Sequence, residues 1–253
     1  MDKLSEEQRR RYIRQLSLPE IGVEGQRKLA DAVVMIAGLG GLGSISSYYL
    51  AAAGVGRLRI IDHDRVALEN LNRQILHTTS DIGRLKVDSA AEKLNALNAH
   101  CQIEPVRESI DMTNAGHIAA GCDLIVDATD NLMVRHALNR ASVIKNIPFV
   151  FGAIDGWNGM ASTFIPKQTA CFACLFPQQG AEDREPVPAL GPTAGIVAAV
   201  QSLESILILL GLTPRLANRL LDFRGLELSF RTISIEKNPN CSVCSTQQGG
   251  RKP

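Results

Sequence analysis

A glycine-rich turn between two apolar segments is the feature that most constrains the fold of this chain. The turn is the segment "AGLGGLGS" at residues 37–44, which follows the apolar run 32–37 and overlaps the helix-compatible residues 42–53. A buried strand, a tight turn and a helix in that order match the G-x-G-x-x-G pattern, in which a phosphate lies on the helix N-terminus. The glycines of the pattern are Gly38, Gly40 and Gly43. The pattern predicts a nucleotide site, although the same glycines would also allow a helix to pack tightly on a strand.

The segments around this turn alternate between strand-like and helix-like patterns. The predicted strands are 32–37, 57–62, 101–106, 123–129 and 147–154. The predicted helices are 42–53, 84–98, 114–120 and 132–145, together with a segment over residues 6–30 that is broken around Pro19 and Gly22. Strands separated by helices predict an α/β, Rossmann-like fold, with a mostly parallel sheet and helices on both faces.

The pattern changes after residue 155. Antiparallel strands that extend the sheet are predicted at 159–165, 220–223 and 227–235. Residues 176–192 are rich in proline, glycine and charge, which is typical of a mobile crossover loop on the surface. We expect a single domain over residues 1–253. Its expected parts are a helical arm (1–30), a nucleotide-binding core (31–155) and the antiparallel extension (156–253).

The composition argues against several functional classes. The chain has 253 residues, of which 45% are hydrophobic, and its formal net charge is +1. That balance argues against general binding to nucleic acid or to a membrane surface. The charged N-terminus is not typical of a signal peptide, and the apolar stretch 195–212 is interrupted by Gln201 and Glu204. We therefore expect a buried helix in that stretch and a cytoplasmic protein.

Polar residues that suit a nucleotide follow the next predicted strand. Asp62 ends that strand about 20 residues after the glycine turn, where a carboxylate that binds ribose is expected. Asn70, Arg73, Gln74 and Lys86 come after it. Two cations and amide side chains suit a polyphosphate whose charge must be neutralised during a reaction. They favour such a nucleotide over NAD, although either cation alone would be ordinary on a protein surface.

The segment "DATDN" at residues 127–131 lies at the carboxyl end of another predicted strand, where open parallel sheets bind ligands. Asp127 and Asp130 are candidates to hold Mg²⁺ against phosphate oxygens, because carboxylates are hard oxygen ligands. The alternative for Asp130 is that it caps the helix predicted over 132–145.

Two C-x-x-C pairs form the second strong motif. They are Cys171 with Cys174 and Cys241 with Cys244, about 70 residues further along the chain. Each pair places two thiolates on one turn, and two such turns complete a tetrahedral Cys₄ zinc site with no open position, so a structural zinc is expected. A disulfide is unusual in a cytosolic chain. Cys101 and Cys122 border predicted strands and are expected to be core residues.

Taken together, these motifs resemble those of the MoeB/ThiF/HesA family, the bacterial relatives of ubiquitin-activating enzymes. The resemblance rests on "RYIRQ", "GLGGLGS", "AGVG", "NLNRQ", "DATDN", "CFACLFP" and "NPNCSVC", and it covers nearly the whole chain. It implies an adenylyltransferase that transfers AMP from MgATP to the C-terminal glycine of a small ubiquitin-like sulfur carrier and releases pyrophosphate. The acyl-adenylate would then become a thiocarboxylate for molybdopterin or thiamin synthesis. The nucleotide is thus expected to be ATP.

The resemblance also implies roles for individual residues. Backbone N–H groups around Gly41 would approach the nucleotide, and Asp62 would bind the ribose hydroxyls. The residues implied to hold the phosphates are Asn70, Arg73 and Lys86, of which Arg73 and Lys86 would stabilise charge during attack on the α-phosphorus.

The remaining implied roles concern the metal and a second subunit. Asp130 would position Mg²⁺, with Asn131 beside it. Arg14 of "RYIRQ" resembles the arginine that a partner subunit inserts into the site, so a homodimer with two sites is implied. Without the resemblance, this basic segment would be an ordinary solvated helix face.

One position departs from the family pattern. Aligning "LGPTAGIVAAVQSLE" places Arg184 where ThiF-like and MoeB-like members carry a loop cysteine, and the chain has no cysteine between Cys174 and Cys241. Adenylation is unaffected, but a covalent persulfide or thioester step on this chain is in doubt. Since the sequence ends at Pro253 without a rhodanese-like domain, an external sulfur donor is expected. Two alternatives remain: adenylation of a peptide without sulfur transfer and, less favoured, an NAD(P)-dependent dehydrogenase.

Overall fold

One continuous sheet of eight strands organises the computed structural model, which describes residues 4–177 and 187–245. The strands are β1 (Val33–Ala37), β2 (Arg57–Ile61), β3 (Gln102–Val106), β4 (Leu124–Asp127), β5 (Phe149–Asp155), β6 (Asn158–Phe164), β7 (Arg219–Arg224) and β8 (Ser229–Ser234). Their order in the sheet is β3-β2-β1-β4-β5-β6-β7-β8. The first five run parallel, and β6, β7 and β8 are added antiparallel. The predicted Rossmann-like sheet with a C-terminal antiparallel extension is confirmed.

Helices cover both faces of the sheet. They are α1 (Glu6–Arg11), α2 (Ile13–Leu16), α3 (Gly22–Asp31), α4 (Gly41–Ala53), α5 (Lys86–Leu97), α6 (Ala115–Ile118), α7 (Leu132–Lys145), α8 (Phe172–Leu175) and α9 (Gly191–Leu210). Alternation along β1 sends Val34 and Ile36 into one apolar core and Met35 and Ala37 into the other. A strand that is apolar at every position is therefore buried on both sides, as parallel strands between two helical layers are.

The strand order reverses beside β1, because the chain moves outward through β2 and β3 and then returns to β4 on the other side. In open parallel sheets, ligands bind in the crevice at the carboxyl ends of the strands flanking such a reversal. The segments that leave β1 and β4 here are the glycine loop (residues 38–43) and the "DATDN" segment. The topology thus brings the two predicted nucleotide motifs to one edge of the sheet.

Helix α9 packs on α4 and against β5 and β6. Within the described ranges it is the helix long and apolar enough to cross a membrane, and half of that apolar stretch is buried in the fold. Helices α4 and α9 run parallel, because their contacts advance along both helices in the same direction. A Cβ on Gly41 would lie 3.1 Å from Ala194 Cβ, and further along, Ser46 Oγ donates to the Ala198 carbonyl at 3.4 Å. Both helices therefore begin at the ligand-binding edge.

Two predicted boundaries are wrong. The crossover loop was expected to reach residue 192, yet α9 begins at Gly191, because a proline in the first helical turn has no N–H that needs a helical partner. The last strand was expected from residue 227 but begins at Ser229, since Gly225–Leu228 forms a turn with Leu228 at φ 46°. Residues 178–186, which include Arg184, lie outside the described residues.

The glycine loop depends on backbone contacts that leave no room for side chains. Gly38 has φ 89°, and a Cβ on it would lie 2.7 Å from the Ala128 carbonyl oxygen. A Cβ on Gly43 would lie 1.9 Å from the Gly38 carbonyl oxygen. The first turn of α4 therefore rests directly on the loop and on the segment after β4.

Gly43→Ala is expected to lower the free energy of unfolding by about 3 kcal/mol, the upper end of ordinary overpacking. The clash is with backbone, which cannot rotate away as a flexible side chain would. The matched control is Gly195→Ala in α9, where an added Cβ meets nothing within 4 Å. That variant should be unchanged or slightly more stable, because alanine favours helices. Urea unfolding of both variants checks this, and equal stabilities would contradict the packing argument.

Candidate functional site

The carboxyl ends of β1, β2 and β4 are tied together by backbone hydrogen bonds. Gly38 N–H donates to the Ile61 carbonyl at 2.8 Å, and Ala128 N–H donates to the Ala37 carbonyl at 2.8 Å. These bonds fix the start of the glycine loop between the two neighbouring strands. The sheet therefore fixes where the glycine loop and the segment after β4 begin.

Asp62 lies immediately after β2 and holds the glycine loop. Its Oδ2 accepts the Leu39 N–H at 2.7 Å, and its Oδ1 accepts the Asp64 N–H at 2.8 Å. The residue is 9% exposed. Each carboxylate oxygen can accept more than one hydrogen bond, so Asp62 keeps capacity for a ligand hydroxyl while it anchors the loop.

The residues after Asp62 fold back over the glycine loop. Asn70 ends a short 3₁₀ turn, and its carbonyl accepts the N–H groups of Arg73 and Gln74. A Cβ on Gly40 would lie 3.7 Å from Gln74 Nε2, and one on Gly41 would lie 3.5 Å from the Arg73 carbonyl oxygen. Asn70 Oδ1 itself accepts the N–H of a neighbouring backbone residue at 3.1 Å. The structure thus brings together the glycines and these predicted side chains.

Two groups beside the glycine loop have unused binding capacity. Gln74 is 4% exposed, and its Oε1 is buried without a hydrogen-bond partner among the described residues. Arg73 is half-buried, and its Nη1 donates only locally, to the Glu69 carbonyl at 2.8 Å and to Asn72 Oδ1 at 3.0 Å. A polar ligand would satisfy Gln74, and an anion would replace the neutral acceptors of Arg73.

Lys86 supplies a buried positive charge at this edge. It is the first residue of α5 and is only 5% exposed. Its Nζ lies 2.9 Å from Asp64 Oδ2, and its backbone N–H donates to the Asp64 carbonyl at 2.9 Å. Asp64 is itself half exposed, at 53%. The ammonium has three N–H donors, and Asp64 is the one acceptor that they contact among the described residues. The remaining donors can therefore bind an anion while the ion pair with Asp64 persists.

Asp127, at the end of β4, lies inside the fold. Asp127 is fully buried: its Oδ1 accepts two bonds from Thr129, at 2.9 and 2.7 Å, and its Oδ2 lies 3.2 Å from Arg135 Nε. Burial raises the pKa of Asp127 despite the lowering effects of Arg135 and Thr129. Oδ2 has this ion pair but no hydrogen-bond donor among the described residues, and the complete burial of Asp127 argues against its predicted role as a magnesium ligand.

Asp130 and Asn131 have different positions. Asn131 is the N-cap of α7, and its Oδ1 accepts the N–H groups of Met133 and Val134 at 2.8 and 3.2 Å. The capping role considered for Asp130 therefore belongs to Asn131. Asp130 is exposed at the sheet edge.

Arg14 is not near its own chain's glycine loop. It is exposed on α2, and its neighbour Gln15 donates to the Ala53 carbonyl at the C-terminal end of α4, at 2.9 Å. Gln26 Nε2 reaches the same carbonyl at 2.8 Å. Because α4 spans Gly41–Ala53, about 20 Å at 1.5 Å per residue, the arm lies at the opposite end of the helix from the predicted nucleotide site.

The four cysteines of the two C-x-x-C pairs converge in space. Sγ–Sγ separations are 3.9 Å for Cys171–Cys174, 3.6 Å for Cys171–Cys241 and 3.5 Å for Cys174–Cys244. A tetrahedral zinc with Zn–S bonds of about 2.3 Å would place its sulfurs roughly 3.8 Å apart, whereas a disulfide needs about 2.05 Å. The cluster therefore has the dimensions of a metal site and not of a disulfide.

The surroundings of the cluster also favour thiolates at one position. Burial alone would raise the pKa of Cys241, but the backbone N–H groups of Cys244 and Val243 lower it to about 7. Asn139 of α7 donates from Nδ2 to Cys171 Sγ at 3.6 Å and accepts the Phe172 N–H at 3.0 Å. By contrast, Cys101 lies buried elsewhere, and burial raises its pKa to about 12, as for a core residue.

Several residues of this edge carry no sequence signal of their own. Asp64 and Arg135 were missed as partners of predicted residues, because pairing across 22 positions, or between a helix and a strand end, is a product of the fold. The second aspartate of "DHD" is the weak signal that might have identified Asp64.

Known proteins resemble this chain in sequence over nearly its whole length. Residues 12–243 match the ThiF family. The chain is 40% identical over 97% of its length to "Adenylyltransferase and sulfurtransferase MOCS3" of Drosophila sechellia, and it covers 55% of that protein. It is 38% identical over 95% of its length to the "SAMP-activating enzyme E1" of Haloferax volcanii, of which it covers 89%. The chain thus spans about half the length of the MOCS3 relatives it matches.

Solved structures share the fold. "Crystal structure of E. coli MccB" superposes with a TM-score of 0.83 at 23% identity, covering 95% of this chain and 73% of that chain. At that identity the likeness concerns the architecture alone.

Proposed function

The chain belongs to the ThiF family, and from that premise we propose that it is an ATP-dependent adenylyltransferase for a small ubiquitin-like sulfur carrier. The observation that carries the proposal is the buried ammonium of Lys86, whose partner Asp64 is hydrogen-bonded to the Asp62 that holds the glycine loop, at the strand-order reversal. Two helices, α4 and α9, also begin there, and helix N-termini favour anions. The names of its relatives, an adenylyltransferase and a SAMP-activating enzyme, support the same class of reaction.

The proposed reaction needs a nucleotide held by its triphosphate and a carboxylate delivered to the α-phosphorus. An oxygen of the carrier's terminal glycine carboxylate forms a bond to that phosphorus, and the bond from phosphorus to the bridging oxygen of pyrophosphate breaks. Asp62 accepts the ribose hydroxyls, and Gln74 and Asn70 orient the phosphates. Arg73 and Lys86 stabilise the negative charge that shifts to the leaving pyrophosphate.

Asp130 is the residue we propose to hold Mg²⁺, which would neutralise phosphate charge and orient the leaving group. Its carboxylate is an oxygen ligand of the type Mg²⁺ prefers, and it is exposed at the sheet edge instead of being consumed by a helix cap. Asn131 keeps this segment in place by capping α7.

Lys86→Ala should slow ATP–pyrophosphate exchange by about 10²-fold or more, the scale of losing one preorganised charge stabiliser. The control is Lys145→Ala at the exposed end of α7, which should exchange at the wild-type rate. Exchange should require both ATP and a carrier ending in Gly-Gly. Near-normal exchange by Lys86→Ala would exclude this assignment of the site.

The same assay separates the alternative functions. Exchange that a short peptide supports and a folded carrier does not would favour peptide adenylation. Hydride transfer to NAD(P) without any exchange would favour a dehydrogenase.

We also propose a homodimer in which Arg14 completes the partner's site. One face of α9 carries apolar side chains that the described residues leave partly or largely exposed, at spacings of four and three: Ile196, Val200, Leu203 and Leu207. Leu203 alone is 63% exposed. A stripe of this kind on an otherwise packed helix is typical of an interface.

The geometry of such a dimer would bring Arg14 to the right place. The arm lies at the C-terminal end of α9, where Lys28 Nζ donates to the Leu210 carbonyl at 2.9 Å. The glycine loop lies at the other end, beside Gly191. A twofold axis across the middle of α9 sets the two copies of the helix antiparallel, so each arm meets the partner's nucleotide site.

Mixing Arg14→Ala chains with Asp130→Ala chains should restore part of the activity that each variant lacks alone. Half of the sites in a mixed dimer would then contain both intact groups. The control is either variant mixed with itself under the same exchange conditions. Absence of recovery, with subunit exchange demonstrated by mass spectrometry, would remove Arg14 from the partner's site.

Zinc is the metal we propose for the Cys₄ cluster, in a structural role. The bound ion would tie the turn after β6, which carries Cys171 and Cys174, to the segment after β8. Four thiolates leave no coordination position for a substrate.

Cys241→Ser should lose zinc and lower Tm by about 2–4 °C for each kcal/mol of stability removed. Cys101→Ser, at a buried cysteine outside the cluster, is the control and should retain one zinc per chain. Elemental analysis with thermal unfolding measures both effects. Active protein with well under one equivalent of zinc would exclude the proposal.

The carrier, the sulfur donor and the cytoplasmic location are part of the same proposal. The relatives named for sulfur transfer or SAMP activation support a ubiquitin-like carrier and a sulfur product. An external protein would supply the sulfur.

A further inference from the structure

A line of buried polar groups runs from α5 to the glycine loop. Lys93 Nζ donates to Ser89 Oγ at 2.8 Å, Ser89 Oγ lies 2.8 Å from His77 Nδ1, and His77 Nε2 lies 3.4 Å from the Leu39 carbonyl oxygen. His77 is 4% exposed and Ser89 is fully buried. Neither residue touches the predicted phosphate-binding side chains through a recorded hydrogen bond, so the role proposed for the site does not account for this line.

The donors and acceptors fix one state of the ring. The Leu39 carbonyl can only accept, so His77 Nε2 must carry the proton. Nδ1 is then the unprotonated nitrogen, and Ser89, whose Oγ accepts from the Lys93 ammonium, can donate its hydroxyl proton to it. Every link is satisfied when His77 is neutral and in the Nε2–H tautomer.

The far end of the line is anchored by a buried carboxylate. Asp81 is 2% exposed and accepts from Lys93, from Arg84 at 2.9 Å and from the Thr78 N–H at 2.7 Å. Lys93 and Thr78 hold the pKa of Asp81 well below its usual range, against the raising effect of burial. Lys93 is thus held in place before it reaches Ser89.

The near end acts on a peptide unit that matters for ligand binding. Asp62 holds the Leu39 N–H at 2.7 Å, and His77 faces the Leu39 carbonyl. Both polar groups of the one residue between Gly38 and Gly40 are therefore held from outside the loop. The next residues are Gly40, the N-cap of α4, and Gly41, its first residue, and neither has a side chain that could hold the backbone in place.

We propose that His77 is a positioning residue that, as the neutral Nε2–H tautomer, holds the Leu39 carbonyl and so presents the N-terminus of α4 to a nucleotide phosphate. This inference rests on the proposed function of the glycine loop. The role is indirect, because His77 acts through Leu39 and touches neither substrate nor metal.

The charges around His77 keep the ring neutral. Burial lowers the pKa of His77, Lys93 and Lys86 on α5 lower it further, and the Leu39 carbonyl and Asp81 oppose them. Asp62 faces the same peptide unit from the other side. Protonation would turn Nδ1 into a donor aimed at Ser89, and the Ser89 hydroxyl proton would lose the acceptor that the ring offers it.

The test uses two amides that divide the functions of the ring. Gln in His77→Gln can place an N–H near the position of Nε2 and keep the bond to Leu39. Asn in His77→Asn reaches only the position of Nδ1, so it keeps the Ser89 contact and loses the loop contact. His117→Gln, at an exposed histidine in α6, is the control.

Affinity for MgATP, measured by calorimetry, gives the first readout. His77→Asn should raise Kd about five- to tenfold, the scale of one neutral hydrogen bond, while His77→Gln stays within about threefold of wild type. Matched Tm values for the two variants exclude general destabilisation as the cause. Equal affinities for the Asn and Gln variants would overturn the proposal.

Nitrogen NMR of the histidine rings gives a readout that does not require activity. The His77 signals, assigned by their loss in His77→Asn, should show the Nε2–H tautomer in wild type. An Nδ1–H tautomer in wild type would overturn the inference even if Lys86→Ala behaves as expected. Failure of wild type to bind MgATP, with the Nε2–H tautomer present, would instead count against the proposed function.

Discussion

The contact between the first turn of α4 and the backbone of the glycine loop is the constraint on which the rest of the structure depends. Only glycine fits at position 43, because the Gly38 carbonyl occupies the space that a Cβ would need. The Ala128 carbonyl presses on Gly38 in the same way from the neighbouring strand. These contacts bring the ends of β1 and β4 together, and that closeness is what creates a ligand edge at the strand-order reversal.

Each buried cation near that edge is paired with a carboxylate. Lys86 is buried but keeps Asp64, and Arg135 is largely buried but keeps Asp127. The two pairs differ in their freedom: Asp64 is half exposed, whereas Asp127 is fully enclosed and further bonded by Thr129. An anion can therefore reach the Lys86 ammonium while Asp64 stays paired with it, but Arg135 has no comparable route. The first pair suits binding, and the second suits holding the segment after β4.

The sequence predicted most of the fold, because strands buried on two faces and helices with one apolar face leave distinct patterns. α7 was predicted with its observed bounds, 132–145, since its cap and its last turn are both local. The start of α9 was not, because the proline and glycine at its first turn look like loop residues. The same holds for the candidate site. Asp62 and Lys86 could be predicted from their positions after the glycine turn, whereas the roles of Asp64 and His77 depend on contacts that only the folded chain creates.

The position of the N-terminal arm bears on how this edge of the sheet becomes a complete site. The described arm ends up beside Ala53, at the wrong end of α4 for its own glycine loop, and buried Gln26 holds it there through two hydrogen bonds with Gln15 and the Ala53 carbonyl. These contacts place the arm about 20 Å along the helix from its own glycine loop. The proposed dimer resolves this distance, because a second copy docked on the exposed face of α9 would bring its own Arg14 to the nucleotide site.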